Sequence, residues 1–437
     1  MTRGPDATTL WALLFSFLLF LGIGSYPLFE PDETRNGEVI REVVQEGHWL
    51  PPTVNGRVRY QKPPLFYWLG ALSFEAFGGG ELSVRMVSAL SAALLGALLY
   101  AWGGALAALA FVSSAMPFFY GRIARVDMLL TLFVAAAVFF LVRADGRRIW
   151  YAASSLFCAL AFLTKGPVGV LIPAMAVVPH LVLSRTRVPV GTMALVFAAV
   201  SVPPFLLLEA SWPGYCYRFF WMENVVRYLE PVFRREEPFY YFVPVVLLGL
   251  MPWTAVLFVR FRELLDWSFE SVDEAVPFLC WALLPVLFFS LSKSKLPHYV
   301  LPAFPAWAYL VSRADPPEWF IRRVIPAFWV LFLVAVLVVM PRVAERRSFS
   351  WLAQRMALAG DVRVVAYKER LYGPSFYLGV KVPEVEDAGL RRMASSHRRL
   401  WVIAKPGKRR RIEDVTSCRA LLVAKKSKYA LFLLECR

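Results

Sequence analysis

Charge is scarce in this sequence. Asp, Glu, Lys and Arg make up 18% of its 437 residues, and two long stretches, 7–29 and 86–121, carry none of them. Hydrophobic residues reach 58% and mean hydropathy is +0.53. That excludes an ordinary soluble globular chain of this length. Several uncharged runs are long enough to cross a hydrocarbon core about 30 Å thick, which takes roughly 20 helical residues. The chain is expected to be a polytopic membrane protein.

Other absences narrow the class further. The first apolar run, residues 8–28, is too long for a signal peptide, has no small-x-small cleavage site after it and is followed by more spans. It reads as a retained transmembrane helix. The five cysteines show no metal-ligand spacing. Cys158 and Cys280 fall in expected spans, and Cys216 in a polar loop. There is no internal repeat and no low-complexity tract.

About eleven spans are expected, at 9–28, 83–102, 104–121, 127–142, 149–165, 166–184, 189–209, 238–259, 275–292, 296–312 and 322–341. Gly103-Gly104 is the natural break in the second uncharged stretch. With a cytoplasmic N terminus, loops 143–148, 185–187, 260–262 and 313–323 are cytoplasmic, and all are basic, as the positive-inside rule asks. Residues 29–82, 210–237 and the C-terminal tail then lie on the exoplasmic side.

Residues 33–47 have the pattern of an interfacial helix, with Val39, Ile40, Val43 and Val44 on one face and Gly47 as its stop. Pro63-Pro64 forces Lys62 into an extended conformation. Tyr60, Phe66, Tyr67 and Trp68 suit an aromatic belt or the roof of a lipid-facing cavity. After Met340 the composition changes. Short alternating segments at 362–367, 399–404, 419–424 and 429–435 predict a small α/β domain outside the membrane. The division is residues 1–341 for the transmembrane part and 342–437 for the small domain. "KPGKRRR" (405–411) reads as a solvated basic loop. A hairpin centred on Ser427 would bring Cys418 and Cys436 opposite each other, which suits a disulfide on the exoplasmic side; the alternative is two thiols at strand ends.

The net charge of +16 would suggest nucleic acid on a soluble protein. On a membrane protein part of it obeys the positive-inside rule, and no nucleic-acid partner is expected. The informative cations are the rest: Lys62, Arg122, Arg125, Lys165, Arg227, Arg234, Arg235, Lys293 and Lys295, at or near the outer face. The outer acids are fewer: Asp32, Glu33, Asp127, Glu223, Glu230, Glu236 and Glu237. Each cation alone is explained by snorkelling to headgroups. As a set they suit an anionic lipid headgroup, especially a phosphate. Asp32 and Asp127 each suit a helix N-cap, a role compatible with chemistry.

"PDETRNGEVIREVVQEGHWLPPTVNGRVRYQKPPLFYWL", "GRIARVDMLLTLF", "ALAFLTKGPVGVLIP", "PFYYFVPVVLLGLMPW" and "SKSKLPHYVLP", in this order, resemble the GT-C integral-membrane glycosyltransferases. The branch resembled is the lipid A aminoarabinose transferase and protein O-mannosyltransferase-like group. The resemblance covers roughly residues 9–312, with a weaker echo in "YGPSFYLGVKVPEV" (372–385). It implies a mostly α, polytopic GT-C fold in a bacterial inner membrane. It implies a polyprenyl-phosphate-sugar donor and a lipid, protein or glycan acceptor. By position, Asp32 matches the proposed catalytic carboxylate and Asp127 the second acid. Lys62 matches the lysine that grips the lipid phosphate, and Lys165, Lys293, Lys295 and His298 match the other motif positions. Arg122, Arg125 and Arg235 are further candidates for the phosphate, and Glu33, Tyr60, Gln61, Glu223, His298 and Tyr299 for the substrate cavity. Relatives carry Glu where this chain has Gln61, and Glu-His where it has Glu223-Asn224. Both departures remove metal ligands, so no divalent metal is assigned. The chain is shorter than many relatives, with fewer spans and a reduced C-terminal domain.

The expected reaction is a single displacement with inversion, in which an acceptor hydroxyl or phosphate attacks and the lipid phosphate leaves. The other reading is a transporter, flippase or non-catalytic binder of an anionic lipid. Against it, the sequence has no inverted repeat and its charges gather at the outer face rather than the midplane.

Overall fold

The structure, a computed structural model, describes residues 6–230, 237–356 and 363–436. Apolar runs fold as helices because a chain in hydrocarbon must satisfy its own backbone groups. They begin with α1 (Ala7–Phe20), α2 (Asp32–Glu46), α3 (Leu65–Phe77), α4 (Glu81–Val112), α5 (Ala115–Gly121), α6 (Val126–Val142), α7 (Arg148–Lys165), α8 (Val168–Leu183) and α9 (Val190–Ser211). Among the described residues, α4, α9, Val272–Ser290 and Phe320–Arg347 are each long and apolar enough to cross a membrane, and α5 with α6 makes a further apolar unit bent by 116°. Four such helices, five with the bent pair, stand against about eleven expected spans. α1, α3, α8 and Phe239–Gly249 are apolar but shorter.

Two expected spans are redrawn. Gly104 does break the helical path, with φ 76° and ψ −173°, but the helix resumes and ends at Val112 rather than 121. The first helix stops at Phe20, and residues 21–29 are irregular. Two buried arginines hold the carbonyls that this end leaves bare. Arg122 donates to the carbonyls of Leu18, Leu19 (3.0 Å) and Leu21 (2.8 Å). Arg85 donates to those of Ile23 (2.6 Å), Tyr26 (2.8 Å) and Pro27 (2.9 Å).

α2 ends at Gly47, whose φ of 72° is the left-handed stop that glycine adopts freely. Its apolar face is packed as the pattern asks, and much of the polar face is covered too, so that ten of its fifteen residues are buried. α3 covers one side so closely that a Cβ on Gly70 would lie 2.4 Å from Ile40. Residues 371–382 cover another side. There Arg41 donates to the Gly379 carbonyl (3.3 Å), and Lys381 pairs with Glu46 (2.5 Å). The enclosed carboxylates find partners. Glu38 takes both arms of Arg41 at 2.7 and 2.8 Å, and Glu42 accepts from the Thr53 hydroxyl and the Gly56 amide. Phe66 and Tyr67, expected in an aromatic belt, are fully buried against this helix.

The C-terminal part holds β3 (Val364–Tyr367), β4 (Glu384–Val385), β5 (Arg399–Ala404), β6 (Arg419–Lys426) and β7 (Tyr429–Glu435), in the order β4-β3-β5-β7-β6; β1 and β2 are the short hairpin Thr53–Val54 and Arg57–Val58. β3 runs parallel to β4 and β5, and β7 is antiparallel to β5 and β6. One face carries helices Asp387–Ser396 and Arg409–Thr416 over Leu390, Val402, Ile412 and Phe432. The second helix takes up Arg409 to Arg411 of the expected basic loop. The other face packs Ile403 and Leu431 on Phe349 and Leu352, just past the last span. The β6–β7 register pairs Arg419 with Glu435, and Cys418 and Cys436 beside them form a disulfide.

Candidate functional site

Asp32 opens α2 and Asp127 stands in the first turn of α6. No side-chain cap bond forms at either helix start, so neither acid is the simple N-cap its sequence position suggests. Both instead take cations, and one cation joins them. Arg125 donates Nη1 to Asp32 Oδ2 at 2.8 Å and Nε to Asp127 Oδ2 at 3.2 Å. Asp32 Oδ1 accepts from Arg35, one helical turn on, at 2.5 Å. Asp127 Oδ1 accepts from Lys165 Nζ at 2.5 Å.

Local folding explains this meeting. α6 and α7 run side by side, so the start of one lies beside the end of the other. A carboxylate at a helix start and an ammonium at a helix end both complement the helix dipole. Gly166, with φ 80°, ends α7 at Lys165, and a Cβ there would lie 2.5 Å from the Phe219 ring.

The two acids differ in access. The Asp32 side chain keeps 38% of its surface open, and that of Asp127 only 2%. Asp127 is therefore an anchor for cations, while Asp32 can meet a substrate.

The other walls are polar and cationic. Arg125 Nη2 lies 3.2 Å from His298 Nε2 and 3.3 Å from Nδ1. Lys165 Nζ lies 5.3 Å from the centre of the Tyr299 ring, and Arg227 donates to the Tyr299 hydroxyl at 3.3 Å. Lys62 sits in the turn before α3, its carbonyl accepting from the Tyr215 hydroxyl at 3.2 Å. Burial, then the neighbouring Lys165 and Arg227, push its ammonium well below the ordinary 10.5. Lys165 has Asp127 and Arg227 has Glu223 as partners, and the three cations together make surroundings that suit an anion.

Several candidates from the sequence are placed elsewhere. Glu33 is no cavity residue. It is buried, takes both arms of Arg85 at 2.8 and 2.9 Å, and accepts the amides of Phe29 (2.9 Å) and Ala124 (2.7 Å). Arg122 is spent on the α1 carbonyls. Lys295 donates to the carbonyls of Glu237 (3.0 Å) and Ser292 (2.7 Å), and Lys293 is exposed. Buried cations capping bare carbonyls give the same sequence signal as cations awaiting phosphate. Gln61 accepts from Arg59 at 2.8 Å, Glu223 pairs with Arg227 at 3.4 Å, and Tyr60 lies under Arg218 at 5.0 Å. Arg235 lies outside the described residues.

Arg227, named in the sequence only as one of the outer cations, stands at the site itself, and two residues that sequence reasoning left out join it. Arg35 stands on Asp32. Tyr372, from the motif at 372–385, lies 5.8 Å from the Arg35 guanidinium. The Asp32–Arg35 spacing of three was a usable signal; the approach of Tyr372 from 340 residues away was not.

A metal reading finds little support at these positions. Gln61 and Glu223 already face arginines. Among the described residues, Glu42, Glu46 and His48 are near enough together to share a cation, but Lys381 already pairs with Glu46 there.

With this geometry in hand, the comparisons with known proteins are direct. The family described as dolichyl-phosphate-mannose-protein mannosyltransferase matches residues 61–207. Two curated relatives, both named undecaprenyl phosphate-alpha-4-amino-4-deoxy-L-arabinose arabinosyl transferase, are similar in sequence. The Aeromonas salmonicida protein is 34% identical over 70% of this chain and 59% of its own length. That of Aeromonas hydrophila is 32% identical over the same shares. The chain thus spans about three fifths of the length of the curated relatives it matches. Among solved structures, ArnT from Cupriavidus metallidurans bound to undecaprenyl phosphate is similar at a TM-score of 0.82 and 21% identity, with 97% of each chain covered.

The fold is therefore that of the GT-C integral-membrane glycosyltransferases. Within that class, the chain belongs to the lipid A aminoarabinose transferase and protein O-mannosyltransferase-like family.

Proposed function

We propose that this chain is a glycosyltransferase that takes a sugar from a polyprenyl-phosphate donor and passes it to an acceptor hydroxyl or phosphate at the exoplasmic face. The observation that carries the proposal is the division of labour between two acids joined by one arginine. Asp127 is closed off and holds Arg125 and Lys165, while Asp32 stays open. The names of the curated relatives support an aminopentose on undecaprenyl phosphate as the donor class.

Asp32 takes or orients the acceptor proton as the acceptor attacks the anomeric carbon. The bond to the lipid phosphate breaks, and that phosphate goes from one negative charge towards two. Its second pKa is about 6, so it leaves without an acid to protonate it. Lys62, Lys165 and Arg227 balance the growing charge. Arg125 fixes the base relative to those cations. A single displacement inverts the anomeric centre.

We further assign residues 1–341 to the membrane-embedded transferase and 342–437 to an exoplasmic domain, in a bacterial inner membrane. The disulfide between Cys418 and Cys436 supports an oxidising compartment for that domain.

The purified protein, incubated with labelled undecaprenyl-phosphate sugar with and without lipid and glycan acceptors, tests the reading. Acceptor-dependent appearance of labelled glycoconjugate is expected. Movement of intact donor between leaflets without any cleavage would contradict it.

A further inference from the structure

The positive charge of this chain is concentrated. Residues 342–437 hold 22 Lys and Arg against 9 Asp and Glu, a net of +13 out of the total +16. Many of these cations are neutralised locally, such as Lys408 on Glu369, Arg411 on Asp387 and Arg370 on Glu384. Others have no such partner and gather in one place. The helix Phe320–Arg347 is 28 residues long. From Arg323 to Arg342 it rises roughly 29 Å at 1.5 Å per residue, one hydrocarbon thickness. Arg342, Arg346 and Arg347 therefore stand at headgroup level, and all three are exposed. Val339 and Val343 beside them are exposed too, which marks a lipid-facing surface.

The β6–β7 turn reaches the same level. Phe349, two residues past that helix, packs on the Tyr429 ring at 5.2 Å. Lys428 lies within electrostatic reach of Glu30, at the exit of the first apolar run. Lys425 and Lys428 are exposed. None of these five cations makes an ion pair with an acid among the described residues.

We propose that Arg342, Arg346, Arg347, Lys425 and Lys428 form a cationic collar that holds the headgroups of anionic phospholipids in the surrounding leaflet. A place at headgroup level, long flexible side chains and charge not tied up in a close ion pair are what anionic headgroups attract. The collar is independent of the transferase reading, because it uses neither Asp32 nor the cations around it. A second basic group, Arg398, Arg399 and Arg419, lies at the opposite end of the sheet, roughly 20 Å away along a six-residue strand, and supplies an internal control.

The test uses the full-length protein, delipidated and then exposed to equal amounts of phosphatidylglycerol and phosphatidylcholine, with retained lipids counted by native mass spectrometry. Three variants are compared: Arg342→Gln/Arg346→Gln/Arg347→Gln, Lys425→Gln/Lys428→Gln, and Arg398→Gln/Arg399→Gln/Arg419→Gln. The wild type is expected to retain phosphatidylglycerol preferentially, by about threefold or more, and to lose that preference at about 0.5 M salt, where screening is strong. Both collar variants are expected to lose most of it, and the distal variant to keep it. The lysine pair is exposed, Lys425 near the end of β6 and Lys428 in the turn after it, so its result stands even if the arginine triple fails to fold. Equal retention by wild type and the lysine variant, or an equal loss in the distal variant, would overturn the collar. Retention of a phosphorylated glycolipid alone, with no preference for phosphatidylglycerol, would also overturn it.

Discussion

Arg125 lies between Asp32 and Asp127, bonding one through Nη1 at 2.8 Å and the other through Nε at 3.2 Å. Two carboxylates from segments 95 positions apart in the chain are thereby held at one cation. The planar, forked guanidinium makes this arrangement, and a lysine has no equivalent geometry. Arg125→Lys is therefore expected to keep the charge but release the register between the acids. Turnover should fall by about 100-fold, the scale on which a misplaced catalytic group costs rate, while affinity for donor lipid changes much less. Steady-state kinetics with separate donor-binding measurements will check this.

Lys62 carries a pH signature. With burial and adjacent cations holding its pKa down, the free site loses this charge at lower pH than an ordinary lysine does. Affinity for undecaprenyl phosphate, the monoester left after transfer, should rise with pH as it takes its second charge near about 6. It should then fall as Lys62 deprotonates. Lys62→Arg should abolish the falling limb, since arginine stays charged, while Lys62→Gln should weaken binding below the pH at which Lys62 loses its proton and approach wild type above it. Binding of undecaprenyl phosphate across the pH range distinguishes the three proteins.

Glu33 and Arg85 form a fully buried pair that also pins the amides of Phe29 and Ala124, next to the segments that carry Asp32 and Asp127. Removing one partner of such a pair leaves a charge without compensation and costs about 3–5 kcal/mol. Glu33→Ala should lower the thermal stability of the solubilised protein far more than Glu223→Ala, whose partner is partly exposed. Thermal unfolding of the two variants side by side makes the comparison.

Glu30 accepts the Gly373 amide and joins the first loop to the C-terminal domain. Burial raises its carboxyl to about 7 from the ordinary 4.5. The folded protein therefore holds this proton where the unfolded chain has lost it. Its contribution is complete below about pH 4.5 and is lost as pH rises through 7. Thermal stability should decline across that window, and Glu30→Gln should flatten the decline.

Much of the site was legible because charge near hydrocarbon is costly and so seldom incidental. Asp32, Asp127, Lys62 and Lys165 stand out for that reason, at the boundaries of apolar runs, while His298 entered only through the family resemblance. The same logic misplaced Arg122 and Lys295, because a cation capping bare carbonyls also sits at such a boundary. Arg227 showed only as one of a set of outer cations, and Tyr372 stayed hidden, because nothing local says which distant segment they meet. In the fold, strands β5 and β7 matched their alternating segments, while β4, with two residues, is too short to show a period. The amphipathic pattern of α2 was correct, but a pattern does not say what covers the polar face. Here residues 371–382 cover it.

The most direct measurement is the pairing of turnover with donor binding in Asp32→Asn. Removing the base should depress sugar transfer by about 100- to 10,000-fold. Undecaprenyl-phosphate binding should stay near wild type, because Lys62, Lys165 and Arg227 are untouched. A variant that still transfers sugar at close to the wild-type rate, or one that loses lipid binding and turnover together, would contradict the assignment of Asp32 as the open, reacting carboxylate.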